Sequence, residues 1–271
     1  MIKNYNKLDN EIITEYLFHP RKEFSTVSSE NAINYDINVE NNVSIGARFH
    51  MADKSNPNII FFHGNGEIVS DYDDIAVFYN KYDLNFLAVD YRGYGRSTGM
   101  PKASSMIKDS HIIFKDIEKW LDNENYNGPI IIMGRSLGSA PALEIASSYQ
   151  SNIKGIIIES GFAYTIKLLE RLGIPVQQLG LTEEDGFNNI EKISQLLMHS
   201  LIIHGQYDII IPISDAETLQ SFCASRFKQL QMVPGADHNS IILKTGEMYF
   251  KVIKDFTDKI QGKRKKKFFR K

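Results

Sequence analysis

The chain has 271 residues, 42% hydrophobic and 24% charged, with a formal net charge of −2. That balance excludes a disordered or fibrous chain and gives a globular domain ample core, at a length α/β folds routinely carry as one unit. A single cysteine, Cys223, excludes an internal disulfide framework and a cysteine metal cluster, and it reads as a small core residue.

No apolar run is long enough to cross a bilayer, and residues 1–7 lack an apolar signal region, so the default location is the cytoplasm. Residues 34–40 and 43–50 alternate in character around Asn41-Asn42, which predicts an antiparallel hairpin at a sheet edge. From there the chain alternates apolar runs with helical spacing. Strands are expected at 57–62, 84–89, 129–133, 153–159, 200–203 and 228–233. Helices are expected at 71–80, 104–121, 139–149, 215–224 and 246–260. The strand runs are nearly continuous in apolar residues, as in a mostly parallel sheet covered on both faces. The expected architecture is α/β, with about eight strands and helices on both sides, in a single domain over 1–271.

The first strand runs into His63-Gly64-Asn65-Gly66, a loop whose glycines let backbone approach a ligand. The second leads to Asp90-Tyr91-Arg92-Gly93-Tyr94-Gly95-Arg96-Ser97. This is no dinucleotide site, because no G-x-G-x-x-G follows a first strand. Its glycines are expected to turn the chain while Asp90 and Arg92 pair locally.

The third strand enters Gly134-Arg135-Ser136-Leu137-Gly138, a G-x-S-x-G sequence between a strand and a helix. A serine on such a tight turn is exposed and poised to attack a substrate, so Ser136 is the candidate nucleophile. Pro141 is compatible with the helix that follows because it falls in the first turn.

Between residues 159 and 200 lies more chain than a crossover needs. The pieces 163–172 and 187–198 read as helices joined by an irregular stretch. This insertion, about 160–200, reads equally as a small lid or as a longer ordinary crossover.

A serine hydroxyl needs a base, and the base needs an orienting carboxylate. Asp208 lies in the turn beyond the strand at 200–203, and His238 lies in the loop after the last strand. Both are loop positions at the sheet edge where α/β proteins place ligands. Of the rivals, Glu159 closes a strand and Asp237 adjoins the histidine, where it would not face it well. His111 falls in a helix, His50 ends an edge strand, His204 fixes a turn, and His63 has a backbone role. The oxyanion formed on attack needs N–H donors, expected from the Leu137 amide and from Asn65.

The last nine residues carry seven basic groups, so the remaining 24 basic residues face 33 acidic ones. Residues 262–271 read as a solvated tail. With Phe268 and Phe269 interleaved they also suit peripheral contact with an anionic membrane, while the acidic body opposes nucleic acid.

The HGN loop, the DYRGYGRS segment, the GRSLG turn, His204-Gly205-x-x-Asp208 and Gly235-Ala236-Asp237-His238 occur in order over about residues 34–260. Together they resemble the α/β-hydrolase superfamily, in particular its small HGN/GRSLG serine hydrolases. Members include carboxylesterases, serine aminopeptidase-like proteins and membrane-linked protein depalmitoylases. The resemblance implies an acyl-enzyme intermediate, a catalytic Ser136–Asp208–His238 set, no cofactor and no metal. The leading expectation is cleavage of a carboxylic ester or thioester in a small or acylated substrate. An aminopeptidase is the second, with Glu159, Glu170, Glu183 or Glu184 to receive an amine. A non-catalytic scaffold binding at membranes is the third.

Overall fold

The computed structural model describes residues 4–24 and 32–263. The basic run therefore lies, from residue 264 on, outside the described residues, and so does its reading as a tail.

Among the described residues eight strands form one sheet. They are β1 (Ala32–Glu40), β2 (Val43–His50), β3 (Asn58–Phe62), β4 (Asn85–Val89), β5 (Ile130–Arg135), β6 (Ile153–Glu159), β7 (His199–Gly205) and β8 (Lys228–Val233). Their order is β1-β2-β4-β3-β5-β6-β7-β8, with β2 antiparallel to both its neighbours, β1 and β4, and the remaining pairings parallel. The edge hairpin turns at Asn42, whose φ of 63° is a left-handed conformation that asparagine tolerates better than most residues.

All five residues of β3 and of β4 are buried, which explains the apolar runs that follow Asn58 and Asn85. Side chains alternate between faces. Ile60, Phe62, Leu87 and Ile132 enter one core, and Ile59, Phe61, Phe86 and Ile131 enter the other. On the first face lie α1 (Glu11–Leu17), α3 (Ala103–Asn123) and α4 (Ser139–Ser148). On the second lie α2 (Asp73–Lys81) and α9 (Glu247–Ile260). The remaining helices are α5 (Thr165–Arg171), α6 (Asn189–Ile193), α7 (Ile213–Phe222) and α8 (Ile241–Thr245). Cys223 caps α7 and is 2% exposed, in the core.

From β3 the chain steps to β4 on one side, then returns through α3 to β5 on the other. The carboxyl ends of β3 and β5 therefore lie side by side, with Phe62 opposite Gly134, at the point where the winding reverses. Loops leaving these two strands diverge there and open a crevice.

Two local expectations need correction, and one helix adds to them. The helix expected over 187–198 is only α6, since the chain turns after Ile193 to bury Leu196 and enter β7. Asp90 does not pair with Arg92. It stands 3.1 Å from His63 Nε2 and accepts the Val69 N–H, while Arg92 forks onto Asp109 and reaches Glu40. Finally, α1 precedes the hairpin unannounced. Its N-terminus is capped by the Asn10 side chain, which accepts the Ile12 N–H, and Ile13 and Leu17 pack inward one turn apart.

Candidate active site

Ser136 sits where β5 gives way to α4, with φ at 51°. A residue other than glycine held there stores about 1–3 kcal/mol, which its surroundings must offset. The flanking glycines leave no alternative. A Cβ on Gly134 would fall 2.3 Å from the Gly138 carbonyl oxygen, and one on Gly138 would fall 2.1 Å from that of Phe62. The turn packs onto β3 only because both are glycine.

The structure brings Ser136, His238 and Asp208 together from three separate loops. His238 Nε2 lies 3.0 Å from Ser136 Oγ, and His238 Nδ1 lies 2.7 Å from Asp208 Oδ2. A carboxylate can only accept, so the proton sits on Nδ1 and the Nε2 lone pair faces the hydroxyl. Asp208 is 5% exposed and is fixed by the turn after β7, its Oδ1 accepting the N–H groups of Ile210 and Ile211 at 3.0 and 2.8 Å. Burial pushes its pKa up. The hydrogen bonds from His204, His238 and the Ile211 amide outweigh burial and hold the carboxyl well below the usual range.

The rivals are occupied elsewhere. Glu159 receives Arg135 Nε at 3.2 Å on one oxygen and the Tyr249 hydroxyl on the other. Asp237 accepts the Asn239 N–H in a local turn. His204 donates from Nε2 to the Ile211 carbonyl at 2.7 Å, closing the turn that carries Asp208. His63 is fully buried between the Gly64 carbonyl and Asp90, and His111 bridges Tyr149 and Glu144.

Asn65 and Leu137 line one cavity of about 240 Å3 together with Ser136 and His238. The Asn65 side chain is already committed. Its oxygen accepts the His19 N–H at 2.7 Å and the Tyr94 hydroxyl at 2.8 Å, and its nitrogen donates to His19 Nδ1. The group of Asn65 left for an oxyanion is therefore its backbone N–H, in the cavity that Leu137 also lines. The opposite walls are apolar, built from Leu17 of α1, Leu168 of α5, Leu172, Ile210 and Ile211. Thus the insertion at 160–200 supplies one wall through Leu168 and Leu172. Sequence reasoning missed Tyr16 and Leu17, because a seven-residue helix has too little periodicity to register. It also passed over Arg135, Glu67 and Asn239, which line the cavity too. A charged residue inside an apolar strand-to-helix turn was the available signal for Arg135. Among the described residues no group of three or more His, Cys, Asp or Glu side chains is placed to hold a metal ion.

The family model for "Serine aminopeptidase, S33" matches residues 53–179, a span that includes Ser136 and ends before Asp208. Protein bem46 of Schizosaccharomyces pombe is 28% identical over 209 residues, covering 75% of this chain and 68% of that protein. The human alpha/beta hydrolase domain-containing protein 17B is 30% identical over 194 residues, covering 68% and 61%. An esterase of Pyrococcus furiosus superposes with a TM-score of 0.71 over 89% of this chain and 98% of its own, at 18% identity. The chain belongs to the α/β-hydrolase superfamily. As in open α/β sheets generally, the crevice at the winding reversal collects residues from distant segments, here at 65, 136 and 238, with Asp208 reaching it through His238. None of the described helices of this α/β hydrolase is long and apolar enough to cross a membrane.

Proposed function

We propose that this α/β hydrolase is a serine hydrolase that cleaves a carboxylic ester or thioester through an acyl-enzyme intermediate. The observation that carries the reading is the unbroken hydrogen-bond path from Ser136 Oγ through His238 to Asp208, opening onto a cavity with apolar walls.

The reaction follows from the protonation states. His238 Nε2 takes the Ser136 proton as Oγ bonds to the substrate carbonyl carbon, and Asp208 stabilises the imidazolium that forms. Negative charge then builds on the carbonyl oxygen, and the backbone N–H groups of Leu137 and Asn65 are the donors that receive it. Fixed donors of this kind contribute roughly 3 kcal/mol each in the transition state. Collapse breaks the bond to the alcohol or thiol, which leaves with the proton from His238. Water, deprotonated by the same imidazole, then releases the acid and restores Ser136.

The apolar walls favour an acyl chain over an amine as the group held beside Ser136. An amine would need an unpaired carboxylate. Glu67, the acidic residue lining this cavity, is paired with Arg135, and Glu183 caps α5 through the amides of Thr165 and Ile166. Glu159 is bound to Arg135 and Tyr249.

Pre-steady-state hydrolysis of p-nitrophenyl acetate tests the reading. A burst of p-nitrophenolate matching the enzyme concentration, absent from Ser136→Ala, is the expected result. Steady release without a burst, at equal rates in both proteins, contradicts it.

A further inference from the structure

Arg135 stands directly before the candidate nucleophile, and its guanidinium reaches three other segments at once. Nη2 donates to the His238 carbonyl and to Asn239 Oδ1, both at 2.9 Å. Nη1 pairs with Glu67 Oε1, and Nε donates to Glu159 Oε1 at the end of β6. Glu67 carries the linkage further. Its second oxygen accepts the Gly64 N–H at 2.7 Å and the Tyr72 hydroxyl at 2.6 Å, which grips the loop that carries Asn65.

We propose that Arg135 is the positioning residue that holds the base loop and the oxyanion loop in register with Ser136. The inference rests on the serine hydrolase reading above and concerns how that site is kept assembled. Three observations carry it. First, only a planar guanidinium offers donors in the several directions these acceptors occupy; an ammonium is a point charge with three short donors. Second, an arginine buried between carboxylates is weak as a source of stability, because desolvation cancels much of the attraction, so geometry is what the cluster provides. The Arg135 side chain is 12% exposed and those of Glu67 and Glu159 are 22% and 5% exposed.

Third, the loops have room to move if released. Behind Arg135 lies a second cavity of about 330 Å3, walled by Tyr72, Tyr79, Ile241 and Tyr249. It shares Glu67, Arg135, His238 and Asn239 with the cavity around Ser136. The guanidinium thus stands in the partition between two open spaces. Without it, the His238 backbone loses a donor and faces a void rather than packed side chains. A displacement of about 1 Å at the base is enough to cost on the order of 100-fold in rate.

The test uses the full chain with p-nitrophenyl acetate as substrate, and follows kcat and KM separately in Arg135→Ala, Arg135→Lys and Glu67→Gln. We expect kcat to fall about 30- to 300-fold in Arg135→Ala, with KM unchanged within about threefold, because the variant displaces the base loop and leaves the apolar walls of the cavity intact. Lysine is expected to recover little. Millimolar methylguanidinium, which can enter through the second cavity, should raise kcat of Arg135→Ala at least about fivefold, while methylammonium should not. Glu67→Gln keeps an acceptor for Gly64 and Tyr72 but sets an amide against the guanidinium, and should lower kcat about tenfold should Arg135→Ala not fold. A folded Arg135→Ala with wild-type kcat, a loss that methylammonium rescues equally, or a Glu67→Gln enzyme at wild-type rate overturns the positioning role. Fluorophosphonate labelling of the wild type separates the two claims. Absent labelling counts against the hydrolase reading, whereas normal labelling with unaffected variants counts against Arg135 alone.

Discussion

His19 and Asn65, 46 residues apart in the chain, are joined by two hydrogen bonds: the His19 N–H donates to Asn65 Oδ1, and Asn65 Nδ2 donates to His19 Nδ1, both at 2.7 Å. The segment after α1 is thereby bound to the loop that carries Asn65, the proposed oxyanion donor. Arg21 extends the contact by donating to the Gly66 carbonyl. On the proposed mechanism Asn65 serves by its backbone, with its side chain as the anchor. Asn65→Ala, which keeps the amide, should lower kcat about tenfold, far less than the 100- to 1,000-fold loss that follows removal of a side-chain oxyanion donor. Steady-state kinetics distinguish the two. A 1,000-fold loss would assign the donor to the side chain.

Ser136 trades stability for reactivity. Its φ of 51° suits glycine, so Ser136→Gly should abolish hydrolysis and raise unfolding stability by about 1 kcal/mol. Urea unfolding of the two proteins measures this. A less stable glycine variant would mean that the turn is not strained.

Asp208 fixes the imidazole tautomer. Asp208→Asn can keep a hydrogen bond to His238 while turning the Nε2 proton toward Ser136. The expected loss is about 10,000-fold in kcat, with little change in KM. A loss below tenfold would place the orienting acid elsewhere, most directly at Glu159.

Much of this was legible in the sequence, for reasons specific to particular residues. Strands buried on both faces are mostly apolar, so β3 to β6 stand out, and the span expected at 153–159 matches β6 residue for residue. Ser136, Asp208 and His238 could be singled out because each follows a strand, and a parallel sheet delivers all its strand ends to one edge. What could not be read was contact between chain segments with no pattern of their own. The pairing of Asp90 with His63 rather than with Arg92, the anchoring of Asn65 by His19, and the reach of Arg135 all depend on how loops fold over that edge. The apolar wall from α1 escaped for a related reason, since Leu17 faces the cavity from a helix too short to show periodicity.

The helix layer carries its own pH dependence. Glu144 of α4 receives His111 of α3 at 3.2 Å and Lys192 of α6 at 2.6 Å. Burial raises its pKa, but these partners outweigh burial and lower it to about 2, against an ordinary value near 4.5. A depressed folded pKa means that the stabilisation is complete above about pH 4.5 and is lost as pH falls towards 2. Glu144→Gln should therefore be less stable than wild type at pH 7 by roughly 1–3 kcal/mol, with the gap narrowing below about pH 4.5 and nearly closed by about pH 2. Denaturant melts across this range check it. A gap that widens in acid would reverse the sign.

The walls of the cavity set which acyl groups fit. Leu172→Trp should lower kcat/KM for octanoyl esters at least about tenfold relative to acetyl esters, because the added ring occupies space beside Ser136. Competition between the two esters measures the ratio. An unchanged ratio would direct the acyl chain away from this wall.

The central claim is that the Ser136 hydroxyl is made nucleophilic by His238. Reaction with a fluorophosphonate followed by peptide mass spectrometry tests it most directly. The account expects one adduct per chain, on Ser136, formed at least about 1,000-fold more slowly in His238→Ala. An adduct on another residue, or a labelling rate indifferent to His238, would contradict it.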